Sequence, residues 1–116
     1  MTARGGPWPQ QRRLAAHLRE VLRRRFGCRD AWVVSSGGRC RLEVLVEGRR
    51  VVLLEDAEDA FWARFYQRVR IQRRRLGETV ERTLLWRRPP RELADLLSPY
   101  WQARFGPPGG EGAPGA

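Results

Sequence analysis

The stretch RCRLEVLVEGRRVVLL, residues 39–54, decides the fold, because two strand patterns meet there at a glycine turn. Residues 39–47 alternate between two faces, Gly48 stands between charged neighbours, and residues 51–54 are wholly apolar. Such alternation is typical of a strand that buries one face. One face carries Cys40, Leu42, Val44 and Val46, and the other carries Arg41, Glu43, Leu45 and Glu47. The stretch therefore predicts two antiparallel strands joined by a tight turn.

A third strand is predicted just before this pair. Residues 31–34 are apolar, and Ser35-Ser36-Gly37-Gly38 is a typical turn sequence. Together with the two strands that follow, this run predicts an antiparallel three-stranded meander with one face on the core.

An amphipathic helix is predicted before the sheet, over residues 9–26. Pro9 suits the first helical position, and Gly27 suits the position directly after the last turn. Apolar side chains recur at helical spacing, whereas the arginines lie mostly on the other side. The apolar positions are Leu14, Leu18, Val21, Leu22 and Phe26.

After the sheet, residues 56–76 predict a long, arginine-rich second helix. Asp56 is a candidate N-cap, and the apolar stripe consists of Phe61, Trp62, Phe65, Val69 and Leu76. Residues 78–88 fit either a helix or an edge strand, and we favour the helix. Pro89-Pro90 should then end this helix, and short helical turns should follow over residues 91–105.

These elements predict one compact α+β domain over residues 9–105. The expected order is an N-terminal helix, a three-stranded antiparallel sheet, a long Arg-rich helix and a short C-terminal helical segment. Residues 1–8 should form a flexible leader, and the Gly/Pro-rich residues 106–116 a disordered tail. The expected core consists of Leu14, Leu18, Val21, Leu22, Val33, Leu42, Val44, Val46, Leu53, Phe61, Phe65 and Val69.

The net charge is the strongest functional signal in the 116 residues. It is +10, from 23 basic and 13 acidic residues, and every basic residue is Arg. A GC-rich genome explains Arg in place of Lys, but it does not explain the excess of positive charge. Residues 1–29 carry eight Arg and one Glu, and residues 61–88 carry nine Arg and two Glu. This balance indicates a polyanionic partner.

Arginines of the two predicted long helices are the candidate nucleic-acid-binding residues, because a guanidinium group binds phosphate through two parallel hydrogen bonds. If both helices pack on one side of the sheet, their outer surfaces would merge into one basic face. The alternative is a solvated surface whose arginines stabilise helix C-termini. The candidates are Arg12, Arg13, Arg19, Arg23, Arg24, Arg68, Arg70, Arg73, Arg74 and Arg75.

A protein-interaction surface is the second hypothesis. The chain contains five Trp, and Trp86, Tyr100 and Trp101 stand near predicted helix ends, where aromatic side chains can anchor a partner. In that case the partner would be an acidic protein, and these three side chains would be exposed in the free chain.

Catalysis, metal binding and membrane association are not expected. Cys28 and Cys40 fit no zinc-ligand spacing and His17 is the only histidine, so we expect no metal, no cofactor and no catalytic residue. The thiols should pack as small apolar groups, with a disulfide as the alternative. The chain shows no bilayer-spanning apolar run and no secretory signal, so we expect a cytoplasmic protein with no membrane partner.

The element order over residues 9–76 is similar to that of double-stranded-RNA-binding domains. That family grips phosphates with a Lys-rich start of its second helix, whereas this chain has Asp56-Ala57-Glu58-Asp59 there. The order also resembles that of restriction-endonuclease-type nuclease domains, for which Asp30, Glu43 and Glu55 could supply acids. Those domains need an acid-x-Lys motif, and this chain contains no Lys. Both resemblances are limited to the order of elements.

The sequence therefore predicts a non-enzymatic nucleic-acid-binding protein, or a subunit of a ribonucleoprotein or DNA-processing complex. The ligand would be RNA or DNA, held mainly by its phosphates and with little sequence preference. The alternative is a regulatory or accessory subunit that binds an acidic protein.

Overall fold

The computed structural model describes residue 8, residues 10–85 and residues 89–107. It confirms the α+β class, with the N-terminal helix, the three-stranded antiparallel sheet and a helix near the C-terminus. Along the chain the elements are α1 (Gln11–Arg25), β1 (Asp30–Ser36), β2 (Arg39–Val46), β3 (Arg49–Ala57), α2 (Glu58–Ala63), β4 (Tyr66–Arg73), β5 (Glu78–Leu85) and α3 (Pro89–Phe105).

The first helix, α1, forms where the apolar positions recur at helical spacing. Its core-facing side chains Leu14, Leu18, Val21 and Leu22 are all buried. The helix begins at Gln11, and Pro9 lies outside the described residues. At the other end, Gly27 has a φ of +79°, and the N–H of Cys28 donates to the carbonyl of Leu22 over 3.2 Å. This left-handed residue and its hydrogen bond end the helix.

The strands β1, β2 and β3 form an antiparallel sheet in chain order, as the sequence predicts. Two-residue turns join them at residues 37–38 and 47–48, and all four turn residues have positive φ. Such turns match the right-handed twist of the strands that they connect. Residues 35–36, predicted as part of the first turn, belong to β1 and pair with β2.

The predicted long Arg-rich helix is wrong. The second helix, α2, has six residues, and the chain then forms the antiparallel hairpin of β4 and β5, a separate two-stranded sheet. The physical reason is the chemistry of the strands, since β4 contains Tyr66, Val69 and Ile71 and β5 contains two Thr and one Val. Aromatic and β-branched residues favour a strand over a helix. The helix favoured for residues 78–88 is therefore also wrong over 78–85, and residues 86–88 lie outside the described part.

The last helix, α3, is longer than the predicted short C-terminal segment. It has 17 residues, begins at Pro89 and continues through Pro99. A proline in the first turn removes no intrahelical hydrogen bond, because the first N–H groups of a helix have no partner inside it. Buried Leu93, Ala94 and Leu97 fix α3 on the core, so their packing outweighs the break expected at the prolines.

A single core joins α1, α2 and α3 to one face of the three-stranded sheet. Most of the predicted core is buried; Val33 and Val46 are only partly buried, and the side chain of Val69 lies outside the described part. Cys28 and Cys40 are buried and unpaired, which confirms their packing as small apolar groups. Trp62, predicted on the apolar stripe, is also buried, and the remaining core residues that the sequence did not predict are Ala31, Leu54, Tyr66, Leu93, Ala94 and Leu97.

Among the described residues, no helix has both the length and the hydropathy needed to cross a bilayer. Residues 1–7, residue 9 and residues 108–116 lie outside the described part, so the leader, the tail and the limits of the 9–105 domain stay predictions. Residue 8 of the predicted leader is described: the Trp8 ring lies 5.4 Å from that of Tyr66, and its Nε1 donates to Asp59 over 2.9 Å. These contacts place the start of α1 beside the start of β4.

Candidate functional site

A groove lined by four arginines lies beside the C-terminal half of α1, and we call it the basic groove. It has a volume of about 900 Å³. Its lining residues on α1 are three or four positions apart, so they share one side of the helix. After the turn at Gly27, the chain brings two further residues to the same groove. The lining consists of Ala16, Arg19, Glu20, Arg23, Arg24, Cys28 and Arg29.

The charges of the basic groove are only partly balanced. Arg19 Nε donates to Asp30 Oδ1 over 2.6 Å, and Arg24 Nε lies 3.7 Å from Glu20 Oε2. Within the described residues, Arg23 and Arg29 are exposed and form no ion pair. The groove therefore presents a net positive charge to solvent.

Asp30 fixes the position of one of these arginines. Two hydrogen bonds hold the pKa of Asp30 below its ordinary value of 3.8. The larger effect comes from the hydrogen bond that Arg19 donates, and the smaller from the backbone N–H of Ala31, which donates over 2.8 Å. The carboxylate is therefore ionised at neutral pH, and it orients the Arg19 guanidinium group towards the groove.

The position of the groove at a helix C-terminus allows a purely stabilising role for some of its arginines. Arg23, Arg24 and Arg25 stand in the last turn of α1, where cations stabilise the macrodipole. That role does not explain Arg19, one turn earlier, or Arg29, beyond the helix. The convergence of these two on the same groove is the feature that points to a ligand.

Cys28 lies in the lining of the groove, but its thiol is not activated. Its Sγ donates to the backbone carbonyl of Asp30 over 3.2 Å. Burial, reinforced by the nearby Asp30 carboxylate, raises the pKa of the Cys28 thiol above its ordinary value of 9.0. The thiol is protonated at neutral pH, and a thiol in that state is a poor nucleophile.

The second arginine-rich feature is the β4–β5 hairpin, which we call the arginine hairpin (residues 66–85). Every residue from 70 to 79 is exposed, including Ile71 at 39% and Leu76 at 65%. At its tip, Arg73 lies 3.4 Å from Glu78, and the N–H of Gly77 donates to the carbonyl of Arg73 over 2.8 Å. Within the described residues, Arg70, Arg74 and Arg75 form no ion pair. The hairpin thus presents both unpaired positive charge and apolar surface.

The sequence-predicted arginines do not form one continuous basic face. Arg12 and Arg13 are exposed in the first turn of α1, where Arg13 donates to Gln10 over 3.1 Å. Arg19, Arg23 and Arg24 meet in the basic groove. The others lie on the hairpin instead of a helix: Arg68, Arg70 and Arg73 in β4, and Arg74 and Arg75 at the tip.

The basic groove and the base of the hairpin lie at opposite ends of α1. Trp8 places the hairpin base beside the start of α1, whereas the groove lies at the end of that helix. An α-helix of 15 residues is about 22 Å long. The exposed residues 70–79 show that the hairpin leaves the body instead of lying back along it. A ligand that touches both features must therefore be long.

The predicted partner-binding aromatics are used within the fold where they are described. The hydroxyl of Tyr100 accepts a hydrogen bond from Arg64 Nε over 2.8 Å. The Trp101 ring lies 5.1 Å from Phe26 and 4.3 Å from Phe105. Both side chains are half-buried, and Trp86 lies outside the described residues.

Arg29 and Leu76 are functional candidates that the sequence analysis missed. Arg29 follows the end of α1 and so escaped a search along helix faces. Leu76 was assigned to the apolar stripe of a helix that does not form. The sequence Arg-Arg-Arg-Leu-Gly over residues 73–77 is itself the signal that could have found it, because glycine after an exposed run favours a turn.

A second polar cluster occupies the face of the sheet opposite the core. Glu43 is buried, accepts hydrogen bonds from Trp32 Nε1 (2.8 Å) and Arg41 Nε (2.6 Å), and Arg50 lies over the Trp32 ring at 5.5 Å. Burial alone would raise the pKa of Glu43, but these two hydrogen bonds and the nearby Arg charges outweigh it and lower the pKa. The Glu43 carboxylate is thus fully engaged by Trp32 and Arg41, whereas Arg50 is exposed and contacts the Trp32 ring.

The three acids considered for a nuclease site are each paired with a different arginine. The pairs are Asp30–Arg19, Glu43–Arg41 and Glu55–Arg39. In the part of the chain that the structure describes, no three His, Cys, Asp or Glu side chains are grouped so that they could hold a metal ion.

Comparison with known proteins finds no matching family model, no matching curated protein and no matching solved structure.

Proposed function

We propose that this chain binds nucleic acid through the phosphate backbone, and that the basic groove holds part of that backbone. The observation that carries the proposal is the convergence of four guanidinium groups on one groove whose lining has a single carboxylate, Glu20. Anionic oxygens are the natural counterpart of such a group of donors.

The size and chemistry of the groove favour a phosphodiester segment over a compact apolar ligand. Its volume of about 900 Å³ is within the range of ligand sites, which is about 300–1,000 Å³. Such sites are usually lined by apolar side chains, however, and this groove is lined mainly by exposed arginines. A strand can lie across an open, charged groove without being enclosed by it.

The arrangement supports backbone binding with little sequence preference. Contacts to phosphate position a protein on nucleic acid, whereas sequence is read from base edges. The groove offers charge, one guanidinium group oriented by Asp30, and a protonated thiol at Cys28. We accordingly propose a non-enzymatic role, as a nucleic-acid-binding protein or as the binding subunit of a larger complex.

The test is a salt titration of binding to labelled double-stranded DNA, double-stranded RNA and single-stranded RNA. Each phosphate contact on B-DNA contributes about 0.9 to the slope of log K against log salt. The variant R23Q/R29Q removes the two groove arginines that have no ion pair among the described residues. Its slope on duplex DNA should be shallower than that of the wild type by about 2.

The control is R39Q/R91Q, which removes the same charge at exposed positions outside the groove. Arg39 pairs with Glu55, but both side chains are exposed, so the loss of this pair should change stability little. Its slope should equal that of the wild type, and both variants should keep the wild-type circular dichroism spectrum. Negligible binding of the wild type to all three nucleic acids at about 0.15 M salt would overturn the proposal and favour an acidic protein partner. Equal slopes for R23Q/R29Q and the wild type would show that the basic groove does not bind the phosphate backbone.

A further inference from the structure

We infer that the arginine hairpin is an arm that enters the minor groove of duplex DNA, where Leu76 inserts between base pairs and bends the duplex. This inference rests on the proposed function and specifies its substrate class. It concerns a different part of the molecule from the basic groove.

The first argument is that the hairpin is built to project. Its two strands form their own sheet, separate from the three-stranded sheet, and residues 70–79 are all exposed. Strands of eight residues extend about 26 Å. The minor groove of B-DNA is about 7.5 Å deep and about 6 Å wide, so the hairpin is long enough to reach its floor while the body of the protein stays outside. The groove must widen to admit both strands, and the bend that an inserted side chain produces opens it.

The second argument is that the outer part of the hairpin, residues 70–79, lacks the burial that usually stabilises such an element. An isolated two-stranded hairpin is marginally stable in water. Tyr66 anchors the base in the core, but Ile71 and Leu76 are exposed further out. A bound duplex would bury these side chains and so supply the missing stabilisation.

The third argument is the chemistry of the tip. Arg74 and Arg75 form no ion pair among the described residues, and the next residue, Leu76, exposes 65% of its surface. Arginine is attracted to the negative potential of a narrow minor groove. An apolar side chain at the end of a minor-groove element is the usual wedge that unstacks a base step and kinks the duplex. A turn with a purely solvated role would not need a large apolar side chain beside three arginines.

The same features favour duplex DNA over other nucleic acids. Recognition of single strands relies on aromatic side chains on which bases stack, and the one aromatic residue of the hairpin, Tyr66, is buried at its base. The minor groove of duplex RNA is wide and shallow, so it would not enclose a narrow arm.

The test measures binding and bending on the same samples. A duplex of about 30 base pairs, short against the DNA persistence length of about 150 base pairs, carries a donor and an acceptor dye at its ends. Fluorescence anisotropy reports binding, and energy transfer reports the end-to-end distance. We expect energy transfer to rise when the wild type binds, to return to the free-DNA value with L76N, and to be retained with L76M, which keeps an apolar wedge.

Leu76 is mostly exposed, so L76N should fold, and its thermal melt should match that of the wild type. The variant R74Q/R75Q should weaken binding and make the salt slope shallower by about 2. Replacing guanine by inosine removes an amino group from the minor groove and leaves the major groove unchanged. Wild-type protein should bind inosine-substituted duplexes severalfold more tightly than guanine duplexes, because the guanine amino group is the one donor in the minor groove and obstructs an arm that lies there.

The outcomes separate this inference from the proposed function. If wild-type protein binds DNA without bending it, or if L76N bends it as well as the wild type does, the arm inference is wrong and backbone binding stands. Equal affinity for guanine and inosine duplexes overturns the minor-groove assignment. Sedimentation that shows dimers of the free protein lost in R74Q/R75Q or L76N would make a second copy the occupant and also overturn it. If wild-type protein does not bind duplex DNA at all, both the arm and its DNA substrate fail.

Discussion

The three-stranded sheet and the arginine hairpin are built alike, from antiparallel strands joined by tight turns, but their surroundings differ. In the three-stranded sheet, Leu42 and Val44 of the central strand are fully buried beneath the helices. In the hairpin, every residue from 70 to 79 is exposed. Burial of apolar side chains holds the first region together, whereas the outer part of the second relies mainly on its backbone hydrogen bonds.

Both regions carry unpaired arginines. On the sheet, Arg39 pairs with Glu55 and Arg41 pairs with Glu43, whereas Arg49 and Arg50 have no ion pair among the described residues. On the hairpin, Arg73 pairs with Glu78, whereas Arg74 and Arg75 have no ion pair among the described residues. The hairpin combines unpaired positive charge with exposed apolar surface. A duplex could stabilise both features, because its phosphates supply negative charge and its stacked base pairs supply an apolar interior. The comparison therefore supports the proposal that the sheet is structural and that the hairpin binds a partner.

The sharpest measure of this difference is amide hydrogen exchange in the absence of ligand. Amides of β2 should exchange only through global unfolding, whereas those in the outer half of β4 and β5 should exchange through local opening. We expect the hairpin amides to exchange at least about a hundredfold faster, which corresponds to about 2.7 kcal/mol of opening free energy. Saturating duplex DNA should slow the exchange of the hairpin amides more than that of the β2 amides.

Equal protection of the hairpin and of β2 in the free protein would break the comparison. The hairpin would then belong to the same cooperative unit as the sheet, and it would need no partner to hold it. Exchange of the Arg29 amide, which donates to Leu45 over 2.8 Å, provides an internal reference on the sheet side.

The same substitution placed in each region gives the next largest effect. Leu42 is fully buried, so L42A should lower the free energy of unfolding by about 2–5 kcal/mol, from lost burial and from the cavity that remains. Leu76 is 65% exposed, so L76A should change it by less than about 0.5 kcal/mol. Urea denaturation followed by circular dichroism measures both. A loss of several kcal/mol with L76A would show that the tip packs against the body.

The two regions also differ in how far the sequence predicts them. The sheet is predictable because Cys40, Leu42 and Val44 alternate with charged residues, and because glycines mark both turns. The hairpin was predicted as a helix because Phe61, Phe65 and Val69 happen to stand four residues apart. The first two are indeed buried, but Phe65 lies in the turn that ends α2, and β-branched residues decide the structure after it.

The candidate site was predictable in its parts and not in its assembly. Arg19 and Arg23 are one turn apart on α1, so their shared groove follows from helical spacing. Arg29 joins them only because of the direction that the chain takes after Gly27. The distance between the groove and the hairpin tip depends on which elements pack together, and a charge count along the chain contains no such information.

Glu43 allows the comparison to be tested by pH. It is 7% exposed, lies on the sheet, and accepts charge-assisted hydrogen bonds from Trp32 and Arg41. Although burial acts to raise its pKa, the two hydrogen bonds hold the pKa below the ordinary value of 4.5. A carboxylate whose pKa is lower in the folded state stabilises the protein above its unfolded pKa, and this stabilisation is lost as the pH falls through the folded pKa.

The variant E43Q should therefore be less stable than the wild type by about 1–2 kcal/mol near neutral pH, because the amide loses the charge of the hydrogen bond to Arg41. As the pH falls below the ordinary pKa of 4.5, the unfolded chain takes up the proton first. The difference should then shrink towards zero as the pH falls through the lower pKa of folded Glu43. Asp30 and Asp56 also have lowered pKa values, but the wild type and E43Q both keep them, so their contribution cancels in the difference.

Urea denaturation across this pH range measures the difference in unfolding free energy between E43Q and the wild type. A repeat at about 1 M salt, where the Debye length is about 3 Å, should leave the difference largely intact because the Glu43–Arg41 pair is partly buried. A difference that stays constant with pH, or that disappears in salt, would mean that Glu43 behaves as a surface charge. The sheet would then be stabilised by burial of its apolar face alone. Its outer face would contribute as little to stability as the exposed surface of the hairpin.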